Sequence, residues 1–355
     1  MSFASKLIRW YGEHGRDLPW RNTQNPYIIW LSEIILQQTR VEQGMPYFHR
    51  FLARYPIVTK FAEADEEDIL RLWQGLGYYS RARNMHKAAK MVLNDHKGIF
   101  PTTYEEVIKL TGVGEYTAAA ISSFSANEPR AVVDGNVYRV LSRYFGIDEP
   151  INSSKGKKIF AELAQQMLDK KHPGLYNQAI MDFGAIHCKP KNPLCEHCIF
   201  RLECEAYRNN LVDMLPVKIK GKKSKNRYFH YFVIQDADKI LMAKRETGDV
   251  WANLYEFPLI ETAIDLELDE LAKHPDFQNW FVPQTPLIPI GGSVKHILSH
   301  QNIYARFYLV EDPASLKLKK SNWRYFFPEK LDTLAKHKLI FSFLDRNSHL
   351  INPKL

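Results

Sequence analysis

Cysteine is confined to one place in this sequence. The 355 residues contain four, Cys188, Cys195, Cys198 and Cys204, and none outside that stretch. A secreted fold stapled by disulfides spreads its cysteines along the chain, so that class is excluded. Long apolar runs are also missing. None approaches the roughly 20 residues needed to cross a bilayer, so no membrane association is expected. Residues 1–20 are polar and carry Glu13 and Asp17, which fits neither a signal peptide nor a transit peptide. A cytoplasmic protein with reduced thiols is the expectation. No internal repeat is visible.

What is present suits a soluble globular protein of ordinary core size. Hydrophobic residues make up 45% and charged residues 25%, and the length favours two or three domains of roughly 150 residues. The net charge of +8 favours a polyanionic partner, because Lys and Arg displace counterions from phosphates. Charge alone does not separate nucleic-acid binders from other basic proteins.

Residues 1–210 read as almost entirely helical. Pro26 opens a run containing Ile28, Ile29, Trp30, Leu31, Ile34, Ile35 and Leu36, and Val137, Val140, Leu141 and Tyr144 fall at helical spacing. Asp65–Asp68 is acidic and precedes Ile69, Leu70, Leu72 and Trp73, which reads as the solvated first turn of a helix rather than a metal site. Residues 211–227 form a basic, hydrophobic-poor linker. Beyond it, strand-like runs at 228–234, 239–243 and 303–310, with Pro and Gly between them, predict an α+β domain over 228–350.

Three local patterns carry chemistry. In the first, Leu110-Thr-Gly112-Val-Gly114-Glu-Tyr116 lies between two helical segments. Two glycines around one apolar residue allow a tight turn, and the next helix N-terminus offers free N–H groups to a phosphate. In the second, Val132-Val-Asp134-Gly-Asn136-Val places an Asp before a helix, where an ordinary N-cap is the usual role. The third is the Cys-x6-Cys-x2-Cys-x5-Cys loop, whose thiolates suit either tetrahedral zinc or an iron–sulfur cluster. The second Cys-x2-Cys knuckle of a zinc ribbon is absent. A fourth feature is Glu33, a carboxylate inside an apolar helix. It is either paired at the surface or desolvated by Trp30, Ile34 and Leu36, which would raise its pKa into the range of a useful acid.

LTGVGEYTA followed by VVDGNVYRVLSR resembles the endonuclease III superfamily of helix-hairpin-helix DNA glycosylases over nearly all of residues 5–210. WLSEIILQQTRV, LPWR, GLGYYSRARN and NQAIMDFGA resemble its adenine DNA glycosylase (MutY) branch. The resemblance implies a multidomain protein, with an all-α helix-hairpin-helix glycosylase domain (1–210) whose cysteine loop (188–204) holds a 4Fe-4S cluster. It also implies Glu33 as the acid and Asp134 as stabiliser of the sugar cation, with Tyr116 and Asn136 orienting carboxylates and water. Trp20, Arg21, Leu76 and Gln178 are implied to line an adenine pocket, and Gln38 and Tyr78 to wedge into the base stack. Gly112 and Gly114 would grip phosphate. Bifunctional relatives carry a lysine where Tyr116 stands, so no Schiff base is expected and the enzyme should be monofunctional.

The C-terminal segment is similar to the Nudix-like domain of the same branch. Its Glu-rich magnesium helix is missing. After Pro258 the chain reads Leu-Ile-Glu-Thr-Ala-Ile-Asp-Leu-Glu, which excludes nucleotide hydrolysis. The resemblance implies recognition of 8-oxoguanine by Ser299 and His300, with Leu298 replacing the family's Phe. The expected partner is double-stranded DNA with an A:8-oxoguanine or A:G mispair, and the expected state is a monomer.

Overall fold

The structure is a computed structural model and describes residues 1–221 and 224–348. Residues 222–223 of the basic linker and residues 349–350 of the expected second domain lie outside the described residues. Contacts divide the chain into two compact units. One comprises residues 1–64 and 83–220, the other residues 65–82 with the chain from Gly221 onward.

The first unit is helical. Five helices bear on the site: α1 (Phe3–His14), α2 (Pro26–Leu36), α3 (Glu115–Ala126), α4 (Gly135–Phe145) and α5 (Pro173–Asp182). Local chemistry accounts for their starts. Asn25 caps α2 by accepting from the Tyr27 and Ile28 amides, and Pro26 occupies the first turn, where its missing N–H costs nothing. Helix α2 is buried almost all round, from Ile29 to Ile35, so it runs through the interior rather than over the surface. It packs on α3, and α1 packs on α5. Phe3, Leu7 and Trp10 of α1 join Val137, Val140 and Leu141 of α4 and Tyr176 and Ile180 of α5 in one core.

The second unit is built on a mixed sheet of eight strands. They are β1 (Lys225–Asp236), β2 (Lys239–Lys244), β3 (Tyr255–Glu256), β4 (Leu259–Thr262), β5 (Leu287–Pro289), β6 (Val294–Ile297), β7 (Gln301–Val310) and β8 (Trp323–Phe326). The central order is β3-β2-β1-β7-β5, with β4 on β1, β6 on β7 and β8 on β2. The β1–β7 pair is parallel, with Lys225 opposite Gln301 and Ile234 opposite Val310, and the other pairs are antiparallel. Phe232, Ile234, Leu241, Ile260, Trp280, Phe281, Tyr308 and Val310 make its core. The helical domain and the α+β domain expected from the sequence are both present.

Residues 65–82 depart from a contiguous reading of the sequence. The acidic turn is not simply solvated. Glu66 accepts from Asn253 Nδ2 at 2.7 Å, Glu67 pairs with Lys244, and the Tyr79 hydroxyl donates to the Lys336 carbonyl at 3.0 Å. Among the described residues, no helix is long and apolar enough to cross a membrane.

Candidate active site

A cavity of about 660 Å3 opens in the helical unit, within the roughly 300–1,000 Å3 typical of small-molecule sites. Trp20, Arg21, Glu33, Gln38, Tyr116, Asp134, Asn136 and Gln178 all border it. These eight come from four separate stretches, 20–38, 116, 134–136 and 178, which come together only in the fold.

Glu33 sits on the buried stretch of α2 and is 8% exposed. Tyr116, in the first turn of α3, donates its hydroxyl proton to Glu33 Oε2 at 2.6 Å. Burial pushes Glu33 up to about 6. The Tyr116 hydrogen bond and the charge of Arg21 pull the other way, and Asp134 adds to the rise. Burial, with Glu33 alongside, pushes the Tyr116 hydroxyl well above its ordinary value, so it remains a donor.

Asp134 is the N-cap of α4, and it also faces the cavity. Its Oδ1 accepts from the Asn136 amide at 2.9 Å and the Val137 amide at 2.8 Å. Asn136 Nδ2 donates to Oδ2 at 2.7 Å. The polarity of that last bond is determined, because Arg139 can only donate and it holds Asn136 Oδ1 at 2.8 Å. Burial raises Asp134 above its ordinary value, against the opposing pull of these donors. The N-cap and site readings of Asp134 therefore coexist.

Behind the cavity lie groups that the sequence did not single out. Asp182, wholly buried at the end of α5, receives Arg16 Nη2 at 2.5 Å and Arg21 Nη2 at 2.9 Å. Arg21 Nη1 donates to the Tyr11 hydroxyl at 3.0 Å, and that hydroxyl donates to Gln178 Oε1 at 3.2 Å. An acid in an otherwise apolar helical run was the available signal for Asp182. Tyr11 offered none.

The hairpin turn has the geometry its glycines require. Gly112 has φ +79°, and a Cβ there would meet Asn84 Cβ at 2.6 Å. Gly114 caps α3 and has open space where a side chain would be, so a ligand can approach the backbone closely. Neither glycine lines the cavity.

The four cysteines border one small cavity of about 30 Å3, together with Arg143 and Arg201. Arg143 Nη1 donates to Cys188 Sγ at 3.5 Å and the Phe200 amide to Cys198 Sγ at 3.4 Å. Burial, with the other cysteines adding, raises Cys195, and burial lifts Cys198 to about 12 and raises Cys204. Among the described residues, no three His, Cys, Asp or Glu groups are grouped to hold a single metal ion.

Leu76, Tyr78, Ser299 and His300 belong to the second unit and do not line the cavity. Leu76 is buried and Tyr78 is exposed, with its backbone at φ +47°. Ser299 and His300 are exposed in the turn between β6 and β7, which the Leu298 amide closes by donating to the Gln301 carbonyl at 2.8 Å. The Tyr78 and Ser299 hydroxyls are hydrogen-bonded to each other.

Comparison with known proteins places the chain in a family. The family of HhH-GPD superfamily base excision DNA repair proteins matches residues 31–166, and the NUDIX domain family matches residues 230–346. An adenine DNA glycosylase of Buchnera aphidicola subsp. Baizongia pistaciae is 36% identical over 309 residues, which is 85% of this chain and 84% of the relative. That of Rattus norvegicus is 31% identical over 380 residues, 91% of this chain and 73% of the relative. A solved thermostable thymine-DNA glycosylase superposes with a TM-score of 0.55 at 31% identity, over 58% of this chain and 95% of its own. With that extent of identity to named relatives and a carboxylate-lined cavity in the matched region, the chain belongs to the adenine DNA glycosylase family of base excision repair enzymes.

Proposed function

We propose that this enzyme excises adenine mispaired with 8-oxoguanine or guanine in duplex DNA, as a monofunctional glycosylase acting as a monomer. The observation that carries the reading is the pairing of two carboxylates of different character, Glu33 and Asp134, on one cavity. Glu33 is held by one side-chain donor and Asp134 by three donors, which suits the first to give up a proton and the second to stay fixed.

Adenine within a duplex is out of reach, so the base must be flipped into the cavity. Glu33, held near 6 by burial, carries a proton to donate to N7 of the base, which otherwise leaves poorly. Tyr116 occupies Oε2, so the acidic proton resides on Oε1. Departure of the base leaves an oxocarbenium-like sugar. Asp134 is fixed by three donors, and its charge stabilises that cation until water adds. Asn136 fixes the Asp134 carboxylate. Among the described residues, no lysine borders the cavity, which supports release of the base without strand cleavage.

The cysteine loop supports a 4Fe-4S cluster held by Cys188, Cys195, Cys198 and Cys204. The donor set is all sulfur, Arg143 and an amide donate to two of the sulfurs, and the thiols surround a common cavity. Bound, the cluster supplies a covalent cross-link for the loop. Ser299 and His300 are assigned to the 8-oxoguanine, with Tyr78 and Gln38 as wedges and Gly112 and Gly114 as phosphate contacts.

Single-turnover release of base from three duplexes tests the whole reading: A opposite 8-oxoguanine, A opposite guanine, and an oxidised pyrimidine opposite a purine. Release is expected from the first two, fastest from the first, with intact strands before alkali. Release from the third alone, or strand cleavage with it, overturns the reading.

A further inference from the structure

Two arginines that border the cavity share one buried carboxylate. Arg16 and Arg21 both border the base cavity, and both end on Asp182, which has no exposed surface. Arg16 makes three bonds to it: its amide to Oδ2 at 2.9 Å, Nε to Oδ1 at 3.0 Å and Nη2 to Oδ1 at 2.5 Å. Arg21 adds Nη2 to Oδ1 at 2.9 Å. Burial alone would raise Asp182, but the Arg16 hydrogen bonds and the Arg21 charge hold it below its ordinary value, so it is a permanent anion. Two cations therefore stand on the cavity wall and a single anion stands behind them.

We infer that Asp182 is a positioning residue that sets the acid strength of Glu33, by neutralising and holding the guanidinium of Arg21. This rests on the reading of Glu33 as the acid. A cation near a carboxylate favours its charged form and weakens it as an acid. The groups facing Glu33 are Tyr116 on α3, Arg21 on the 3-10 turn Pro19–Arg21, and Asp134 at the start of α4. Arg40 and Glu42 also border the cavity. Of these, only Arg21 is tied to a fully buried counter-ion. Without it, the field of the Arg21 guanidinium would fall on Glu33 undiminished, and the proton needed for base release would be lost at a lower pH. Tyr11 holds the same guanidinium through a neutral hydrogen bond, so charge and geometry can be separated.

The test is the pH profile of single-turnover adenine release by the full-length holoenzyme. Wild type is expected to lose activity as pH rises through Glu33's range. Asp182→Asn should move that limb to lower pH by on the order of one pH unit, recovering most of its rate in acid. Tyr11→Phe, which removes a bond and no charge, should leave the limb where it is. Arg16→Gln leaves the Asp182 charge to Arg21 alone and should move the limb the other way, which keeps the inference testable if Asp182→Asn does not fold. A uniform loss at every pH in Asp182→Asn, or equal limb positions in Asp182→Asn, Arg16→Gln and wild type, overturns the inference. If Glu33→Gln keeps normal release, it is the acid reading beneath it that fails.

Discussion

The hydroxyl of Tyr116 stands 2.6 Å from Oε2 of Glu33 and donates to it. On the proposed reading, this contact puts a neutral donor where strand cleavage would need an amine, and it leaves Oε1 of the acid free.

Glu33→Gln should abolish adenine release while leaving DNA binding. The amide keeps the shape and still accepts from Tyr116, but it has no acidic proton. It should also stabilise the fold, with a defined pH dependence. The carboxyl of Glu33 is raised from 4.5 to about 6, so the folded protein holds this proton more tightly than the unfolded chain. Its contribution is neutral below about 4.5, turns unfavourable as pH rises through 6, and is then constant at about 2 kcal/mol. Urea denaturation at pH 8 should show Glu33→Gln more stable by about that amount, and at pH 4.5 nearly equal to wild type. Equal stability at both would mean Glu33 is not desolvated.

Tyr116→Phe tests the same contact from the other side. The Tyr116 hydrogen bond favours the carboxylate and so lowers Glu33. Removing one ordinary hydrogen bond, worth about 1 kcal/mol, should move the alkaline limb of single-turnover release upward by roughly 0.7 pH unit. A limb that stays in place would show that the bond is not maintained in the DNA complex.

Purified protein is expected to be brown and to contain four irons and four acid-labile sulfides per chain. Cys198→Ser should lose iron and lower Tm, since it removes one of the four sulfur donors at a position buried deeply enough to lift the thiol to about 12. One equivalent of zinc in protein prepared anaerobically with ample iron would overturn the cluster assignment.

Much of this was legible in the sequence, for reasons that differ by residue. Helix α2 showed itself through a long apolar run with Asn25 and Pro26 at its start, and strands β1, β2 and β7 through β-rich runs. Strands β3 and β5, of two and three residues, are too short to carry a pattern and exist only through pairing. The attachment of residues 65–82 to the second unit depends on side chains such as Glu66 and Tyr79 meeting Asn253 and Lys336, which no local periodicity encodes. At the site, Glu33 and Asp134 were visible because each sits in a motif. Asp182 and Tyr11 meet Arg21 only in the fold, and no local pattern encodes either contact.

The last prediction concerns which hydroxyl reads the lesion. Ser299 and Tyr78 satisfy each other in the protein without DNA, and both are exposed, so either is free to turn to a base. If Ser299 bonds 8-oxoguanine, Ser299→Ala should lower the preference for A opposite 8-oxoguanine over A opposite guanine by about tenfold, the value of one base-edge hydrogen bond of 1–3 kcal/mol. Release opposite plain guanine should hardly change, because the cavity residues are untouched. Tyr78→Phe keeps the ring that a wedge needs and loses only the hydroxyl, so it should retain the preference. Were Ser299 merely the partner of Tyr78, the two variants would behave alike, since each breaks the same bond. Competition between the two mispairs in one reaction, followed in single turnover, distinguishes these outcomes. A preference unchanged in Ser299→Ala, or equally reduced in both variants, removes Ser299 as the reader.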